Sequence, residues 1–356
     1  MRERVMFGMM ISRDNIGQAR ATADAFASAA GRGAVLAVQT DDLDRDADPL
    51  RAFLLAESEL WSRVWLWDTR CDNAWQWGAS LPKPFYIGKN AFSYGGALNR
   101  LLVLALVVNE PVLVRIDAGT APLDASKFGA SLDMHVAHLR RHSVISGKYD
   151  RRIGLRDDFL ADSDRPAFHE LVKRHIGVDP RNQITGGACF ALRVDEGPPA
   201  IAFPGFVPVW GSDDAFFQSV TPRGLANAEM VVARSAPGQP LTGPEYSARL
   251  ACAAALAAIH RRAHLSLRLV PTIDAVVAAG KAFLDELRSS FPDVVKVSEH
   301  GEAQRRLVER VPGLIEGYKN YIGLKQGWSE VRTHVAEAAP TLLKCCQVSH
   351  PADASP

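Results

Sequence analysis

Four short runs, Val5–Ile11, Ala34–Val38, Val64–Trp67 and Val112–Ile116, are apolar at almost every position. A strand with one wet face alternates apolar and polar side chains. A strand apolar on both faces needs cover on both, as a parallel strand in a helix-covered sheet has. Helical segments fall between these runs. Gln18–Ala30 is Ala-rich, Pro49 onward reads as a helix running into the third strand, and Ala97–Val108 is a nearly continuous apolar helix. The alternation predicts an α/β fold with a mostly parallel sheet flanked by helices.

Beyond Leu132 the pattern continues less regularly. A helix to about Arg141 precedes a strand at Val144–Ser146, and a polar stretch to Asp164 precedes a helix at Phe168–Ile176. Cys189–Val194 reads as a strand behind Gly186-Gly187, Pro198–Pro208 as loop, and Asp213–Val220 as a helix. The Pro/Gly-rich stretch Pro237–Pro244 reads as a hinge. Past it Tyr246–Leu269, Ile273–Ser289, Glu302–Val311 and Trp328–Ala338 are expected helices. The expected organisation is one α/β domain over 1–239, a helical C-terminal region over 240–340 and a tail over 341–356.

Bulk properties narrow the partners. Lys plus Arg number 41 against 40 for Asp plus Glu, a net charge of +1. That balance offers no electrostatic footprint for nucleic acid. The five cysteines are irregularly spaced and include no Cys-x-x-Cys, which argues against a disulfide framework or a zinc site. The most apolar run, Leu101–Val108, is too short to span a bilayer, and no signal-type segment follows Met1. A cytoplasmic protein is the expectation.

In an open α/β sheet, ligands bind outside the carboxyl ends of the strands. Three such ends carry suitable side chains: Ser12-Arg13-Asp14-Asn15, Asp41-Asp42 and Asp117. The third follows a telling block, Tyr94-Gly95-Gly96-Ala97-Leu98-Asn99, then the apolar helix, then Val112-Leu113-Val114-Arg115-Ile116-Asp117-Ala118-Gly119. It resembles the centre of the GT-A glycosyltransferases, family 2 in particular, where such a strand ends in an Asp-x-Asp motif that holds a divalent metal against the sugar-nucleotide diphosphate. Ile184-Thr185-Gly186-Gly187-Ala188-Cys189-Phe190-Ala191-Leu192-Arg193 resembles the family's acceptor-side Gly-Gly segment. Val209-Trp210-Gly211-Ser212-Asp213-Asp214-Ala215-Phe216-Phe217 resembles its Trp-Gly-x-Glu-Asp block. The motifs occur in the family's order over about residues 4–235.

The resemblance implies a GT-A fold, nucleotide-sugar binding over about 1–120 and the acceptor side over about 130–239. Ser12, Arg13, Asn15, Asp41 and Asp42 would bind the nucleoside, with one Asp accepting the uracil imide N–H. Lys89, Asn99, Arg115 and Asp117 complete the donor side, and Gly186, Gly187 and Trp210 line the acceptor side. Asp214 would be the general base that takes the acceptor's proton, with Asp213 orienting it or binding acceptor. The implied reaction is sugar transfer from a nucleoside-diphosphate donor, UDP-sugar favoured, to a soluble small molecule such as a secondary metabolite, or to a carrier-bound acceptor, with inversion. The implied cofactor is Mn2+ or Mg2+ on Asp117.

The chain departs from the family pattern at two places. The second acidic position is Ala118 or Gly119, and the later metal-binding His is replaced by Arg234 or Ser235. Cations such as Lys89, Arg115 or Lys148 are the alternative to a metal. Asp117 also suits a turn residue before Gly119, and Ser212-Asp213-Asp214 suits an ordinary helix cap.

Two rival functions stay open: a sugar-nucleotide nucleotidyltransferase and a non-catalytic nucleotide-sugar-binding scaffold. Trp61 and Trp65, at i and i+4 on a helix, suit core packing; Trp75 and Trp77, in a loop-like stretch, suit plain packing ahead of a binding or membrane-surface role. His135, His138 and His142, and His260 with His264, have helical spacing without an accompanying metal motif. Arg151, Arg152 and Arg156 suit either an acceptor anion or a solvated loop. The C-terminal helices offer a surface for acceptor binding or homodimerisation.

Overall fold

The computed structural model of the protein describes residues 4–30, 33–75, 94–139, 144–149, 160, 162–177, 189–194, 224–234, 243–263, 267–292, 297–326 and 328–348. The first half follows the predicted alternation: β1 (Val5–Met10), α1 (Ile16–Ala30), β2 (Val35–Gln39), α2 (Asp48–Leu60), β3 (Arg63–Trp67), α3 (Thr69–Trp75), α4 (Tyr94–Val107) and β4 (Val112–Ile116). Next come β5 (Thr120–Pro122), α5 (Ala125–His138), β6 (Val144–Tyr149), α6 (Arg165–Ile176), β7 (Cys189–Arg193) and β8 (Gly224–Arg234). The C-terminal part is helical: α7 (Gly243–Ala263), a 3-10 turn at Leu267–Leu269, α8 (Ile273–Ser290), α9 (Val297–Gln326) and α10 (Trp328–Cys346).

The described strands form one eight-stranded sheet in the order β3-β2-β1-β4-β7-β6-β8-β5. The block β3-β2-β1-β4 is wholly parallel. β7 runs antiparallel to both β4 and β6, β6 is parallel to β8, and β5 closes the edge antiparallel to β8. β1 has β2 on one side and β4 on the other, so the chain reverses its direction of travel across the sheet at β1. The carboxyl ends of β1 and β4 flank that switch point, the place where open α/β sheets bind ligands.

Side-chain alternation sorts the sheet residues between two cores. Phe7 and Met9 of β1 pack with Phe26 of α1, Phe53 of α2 and Phe128 of α5. Met6, with Trp65 and Trp67 of β3, packs on the other face with α4 and α10. At Gly8 a Cβ would lie 2.8 Å from Leu113 Cδ1 and 3.2 Å from Leu101 Cδ1. The missing side chain therefore lets α4 lie close on the sheet. A third core lies among α6, α7, α8 and α9, with Ala251–Ala255 of α7 buried at every position. A helix buried all round carries no amphipathic stripe.

Several elements differ from the sequence reading. α5 starts seven residues before Leu132, because Asp124 Oδ1 accepts from the Ser126 and Lys127 N–H groups and caps it. Trp61 and Trp65 do not share a helix: Trp61 caps the C-terminus of α2 and Trp65 lies in β3. Both are buried, as expected of core residues, and Trp61 stacks 5.4 Å from Phe7. Trp75 ends α3 and is not in a loop. α9 and α10 run through Pro312 and Pro340, past the expected helix ends at Val311 and Ala338. α10 continues past residue 340 to Cys346, and Gln347 forms a bridge to Trp65. No described helix is long and apolar enough to cross a membrane.

Candidate functional site

Asp117 lies one residue past the end of β4, beside the switch point. Leu113 faces α4, so alternation puts Arg115 and Asp117 on that side too. Arg115 is 1% exposed and Asp117 23%, and the two form an ion pair between Arg115 Nη2 and Asp117 Oδ1. A cation in mid-strand is unusual; here it holds the carboxylate at the strand tip. Asn99, at the start of α4, is fully buried on the same side of the sheet.

The turn after Asp117 explains the missing second acid. Asp117 C=O accepts from Thr120 N–H at 3.2 Å and from Thr120 Oγ1–H at 2.6 Å. Gly119, third in that turn, has φ +82°. This left-handed backbone favours glycine over an acidic side chain. Thr22 Oγ1 of α1 accepts from Gly119 N–H at 2.8 Å and Thr120 N–H at 3.1 Å, pinning the turn from behind.

At the carboxyl end of β1 the loop closes on itself. Asn15 Oδ1 accepts from Ser12 N–H at 2.7 Å, and Ser12 C=O accepts from Asn15 N–H at 3.2 Å. Arg13 N–H donates to Asp42 Oδ2 at 3.2 Å, which joins this loop to the end of β2. Thr40 Oγ1–H donates to Asp42 Oδ1 at 3.3 Å. Asp42 thus works as a loop tie, with both oxygens engaged.

Asp41 is different. Its Oδ1 accepts from Gln39 Nε2–H at 2.8 Å, but its Oδ2 is shut from solvent and has no hydrogen-bond partner. Burial raises the Asp41 pKa; nearby Arg100 opposes the rise and Asp72 reinforces it. Arg100, on α4, is 2% exposed and grips Asp72 with two bonds, Nε to Oδ1 at 2.7 Å and Nη2 to Oδ2 at 2.9 Å. Trp67 Nε1–H also donates to Asp72 Oδ1, at 2.9 Å. Arg100 Nη1 is buried and unbonded. An orphaned buried polar group typically costs about 1–3 kcal/mol, and more when it is charged. A carboxylate oxygen lacking a donor and a guanidinium nitrogen lacking an acceptor thus belong to side chains within electrostatic reach of each other.

At the end of β3, Asp68 resembles Asp42 rather than Asp41, with both carboxylate oxygens engaged. Asp68 Oδ1 accepts from Arg70 and Cys71 N–H groups at the start of α3, while Oδ2 accepts from Arg45 Nε–H at 2.8 Å.

Of the residues expected from sequence, Ser12, Arg13, Asn15, Asp41, Asp42, Asn99, Arg115 and Asp117 thus gather along the carboxyl edge of β1, β2 and β4. Lys89, Gly186, Gly187, Trp210, Asp213 and Asp214 lie outside the described residues, as do Trp77, His142, His264, Arg151, Arg152 and Arg156. Arg100, Asp72, Thr22, Asp68 and Arg45 went unrecognised in the sequence. Arg100 had a signal, as the one charged residue in an otherwise apolar helix. His260 has a structural partner, the Tyr318 hydroxyl 2.7 Å from its Nδ1.

A divalent ion takes several oxygen ligands. Asp117 is the single carboxylate at its strand tip and is already ion-paired with Arg115. No group of three His, Cys, Asp or Glu side chains among the described residues is placed to hold a metal. The described residues do not make a metal site.

No family model matches the chain, and no curated protein matches it. Among solved structures, one described as a mycobacterial protein is 14% identical over 73% of this chain and 74% of its own, with a TM-score of 0.41. Glucosyl-3-phosphoglycerate synthase from Mycobacterium tuberculosis, solved with Mn2+, UDP-glucose and phosphoglyceric acid, is 12% identical over 71% of this chain and 80% of its own, at 0.39. Mouse xyloside xylosyltransferase 1, in its apo form, is 11% identical over 54% of this chain and 67% of its own, at 0.28. Likeness this loose says nothing of what this chain binds or does.

Proposed function

We propose that the protein is a GT-A glycosyltransferase that binds a nucleoside-diphosphate sugar, a UDP-sugar by preference, along the carboxyl edge of β1, β2 and β4. The observation that carries this reading is the unsatisfied pair at the edge, Asp41 Oδ2 and Arg100 Nη1. Uracil presents an imide N–H beside a carbonyl oxygen, so one edge of the base supplies both missing partners. The ribose and diphosphate then run toward the loop after β1 and the tip of β4.

In this reading Arg115 positions Asp117, and Asp117 lines the donor pocket with Asn99 behind it. Lys89 supplies positive charge to the diphosphate. Trp210, Gly186 and Gly187 shape the acceptor side. The acceptor oxygen attacks the anomeric carbon as the bond from that carbon to the diphosphate oxygen breaks. Asp214 takes the acceptor's proton, Asp213 orients it, and the configuration inverts. The acceptor is a soluble small molecule or a carrier-bound intermediate.

One observation favours a second reading, a nucleotide-sugar-binding scaffold without turnover. Asp117 is engaged by Arg115, and the following turn places glycine, in a left-handed backbone, where a second acid would stand. Calorimetry with UDP, with and without Mn2+, followed by turnover assays over a panel of acceptors, separates the readings. Binding with turnover supports the transferase, and binding without turnover supports the scaffold. Absence of binding to every nucleoside diphosphate sinks both.

A further inference from the structure

Three cysteines meet where α10 folds back on the sheet. β3 is the outer strand, and Gln347 bridges to its Trp65 in antiparallel sense. That return seats Cys346, the last residue of α10, against Cys71 in the first turn of α3. Their sulfurs are 3.2 Å apart although 275 residues separate them in sequence, and both side chains are fully buried. Cys346 Sγ–H donates to Cys71 Sγ, while Cys71 Sγ–H donates to Leu66 C=O at 3.4 Å. Arg45 Nη2 stands 4.0 Å from Cys71 Sγ. Cys345, next in the chain, is partly exposed.

We propose that Cys71 and Cys346 are a redox latch, a reversible disulfide that locks α10 onto the outer edge of the sheet. A disulfide bond is about 2.05 Å long, so the two sulfurs need close by only about 1 Å. The oxidant is a low-molecular-weight disulfide such as oxidised glutathione. When the last turn of α10 frays, the Cys346 thiolate attacks one sulfur of the oxidant and expels one glutathione thiolate. Cys71 then attacks the Cys346 sulfur of the mixed disulfide and expels the second. The two cysteines lose two electrons and two protons, and the oxidant becomes two thiols.

The hydrogen bond to Cys71 and burial hold the Cys346 thiol well above its usual range. Exchange therefore waits on fraying, and the latch responds slowly. Its place in the fold gives it reach. Cys71 immediately precedes Asp72, which grips Arg100 and Trp67. Oxidation thus stiffens the support of the Asp41–Arg100 pair, and this holds whatever ligand that pair takes.

The test treats the full chain with oxidised glutathione, then digests it without reductant for mass spectrometry and melts a second aliquot. The expected result is a peptide joining Cys71 to Cys346 and a melting temperature raised by about 5 °C, the scale for closing a long loop. Dithiothreitol reverses both. Cys346→Ala, which keeps the site filled with a small apolar group, abolishes both, and Cys345→Ser leaves both intact. A bond through Cys345, glutathione retained on Cys345 with Cys71 and Cys346 reduced, or a Cys71–Cys346 bond with no change in melting each overturns the latch.

Discussion

The carboxyl edge of the sheet and the C-terminal helices handle charge in opposite ways. In the C-terminal helices the half-buried acids Glu245 and Glu286 are met by cations. Glu245 on α7 accepts from Arg249 at 2.7 Å, Arg306 at 2.6 Å and Arg310 at 2.9 Å. Burial pushes its pKa up, but the bonds from Arg310, Arg249 and Arg306 together outweigh it and hold the group at about 2. Glu286 on α8 meets Arg174 at 2.6 Å and His175 at 2.7 Å, tying α6 to the same bundle. Among the described residues of α6 to α10, the buried polar atoms left over are Ser247 Oγ and His300 Nδ1. Around the sheet the leftover atoms belong to charged groups: Asp41 after β2, Arg100 on α4, Glu110 before β4 and Glu57 on α2. A fold that completes Glu245 with three arginines, yet leaves a buried carboxylate and guanidinium unfinished near a switch point, points to an outside partner at the second place and none at the first.

Four variants break or sharpen that contrast. The largest effect is expected at the proposed base: Asp214→Asn lowers turnover about 10³-fold while UDP binding, read by calorimetry, is kept. Retained turnover removes Asp214 as the base.

Glu57 tests whether any buried orphan acid marks a binding site. It lies on α2, away from the strand ends; burial raises its pKa to about 7, and the Asp24 charge adds to this. Its Oε2 accepts from Trp61 Nε1–H at 3.0 Å. The folded value exceeds the unfolded one, so its contribution is complete below about pH 4.5 and is lost as pH rises toward 7. Glu57→Gln keeps the acceptor for Trp61 and removes the charge. It should stabilise the protein by roughly 2 kcal/mol at pH 8, with little change at pH 4, in urea melts at both pH values. Its UDP affinity should match wild type, because Glu57 is a structural group.

Thr22→Val tests the Asp117 turn. It strips the acceptor from two backbone N–H groups, and a loss of about 1–2 kcal/mol is expected in urea melts, with weakened UDP binding. An unchanged affinity would detach the turn from the site.

The smallest effect is expected in the helices. Glu245→Gln should cost about 1 kcal/mol at pH 7, because the arginines stay partly solvated. The lowered pKa works in the opposite sense to that of Glu57: the stabilisation is present above about pH 4.5 and lost as pH falls toward 2. Binding of UDP should not change, and a change would join the two regions that the comparison separates.

How far the sequence foretold this follows from the range of each interaction. β1 to β4 and α4 were legible because burial on both faces writes itself into consecutive residues. The antiparallel entry of β7 between β4 and β6 was not, since ladder direction depends on segments far apart in sequence. α9 and α10 were read short because Pro312 and Pro340 resemble stops, a local signal that packing of Leu314, Val331 and Leu342 overrode. Around the proposed site, Asp41, Asp42 and Asp117 were singled out as strand ends, and Asn99 and Arg115 by the family resemblance. Their differing roles were hidden: Asp42 ties loops, Arg115 holds Asp117, and Asp41 keeps an oxygen unbonded. Arg100 and Asp72 are 28 residues apart, and their pairing exists only once α3 and α4 dock on the sheet.

The most direct measurement is a UDP titration of wild type beside Asp41→Asn, both checked for equal melting. Asn removes the charge and puts an N–H donor or a neutral oxygen where the carboxylate oxygen stood. The account predicts UDP binding by wild type and a loss of about 10- to 100-fold in the variant, the scale of one charge-assisted hydrogen bond. Equal affinity in the two proteins, or no binding by wild type, would contradict it.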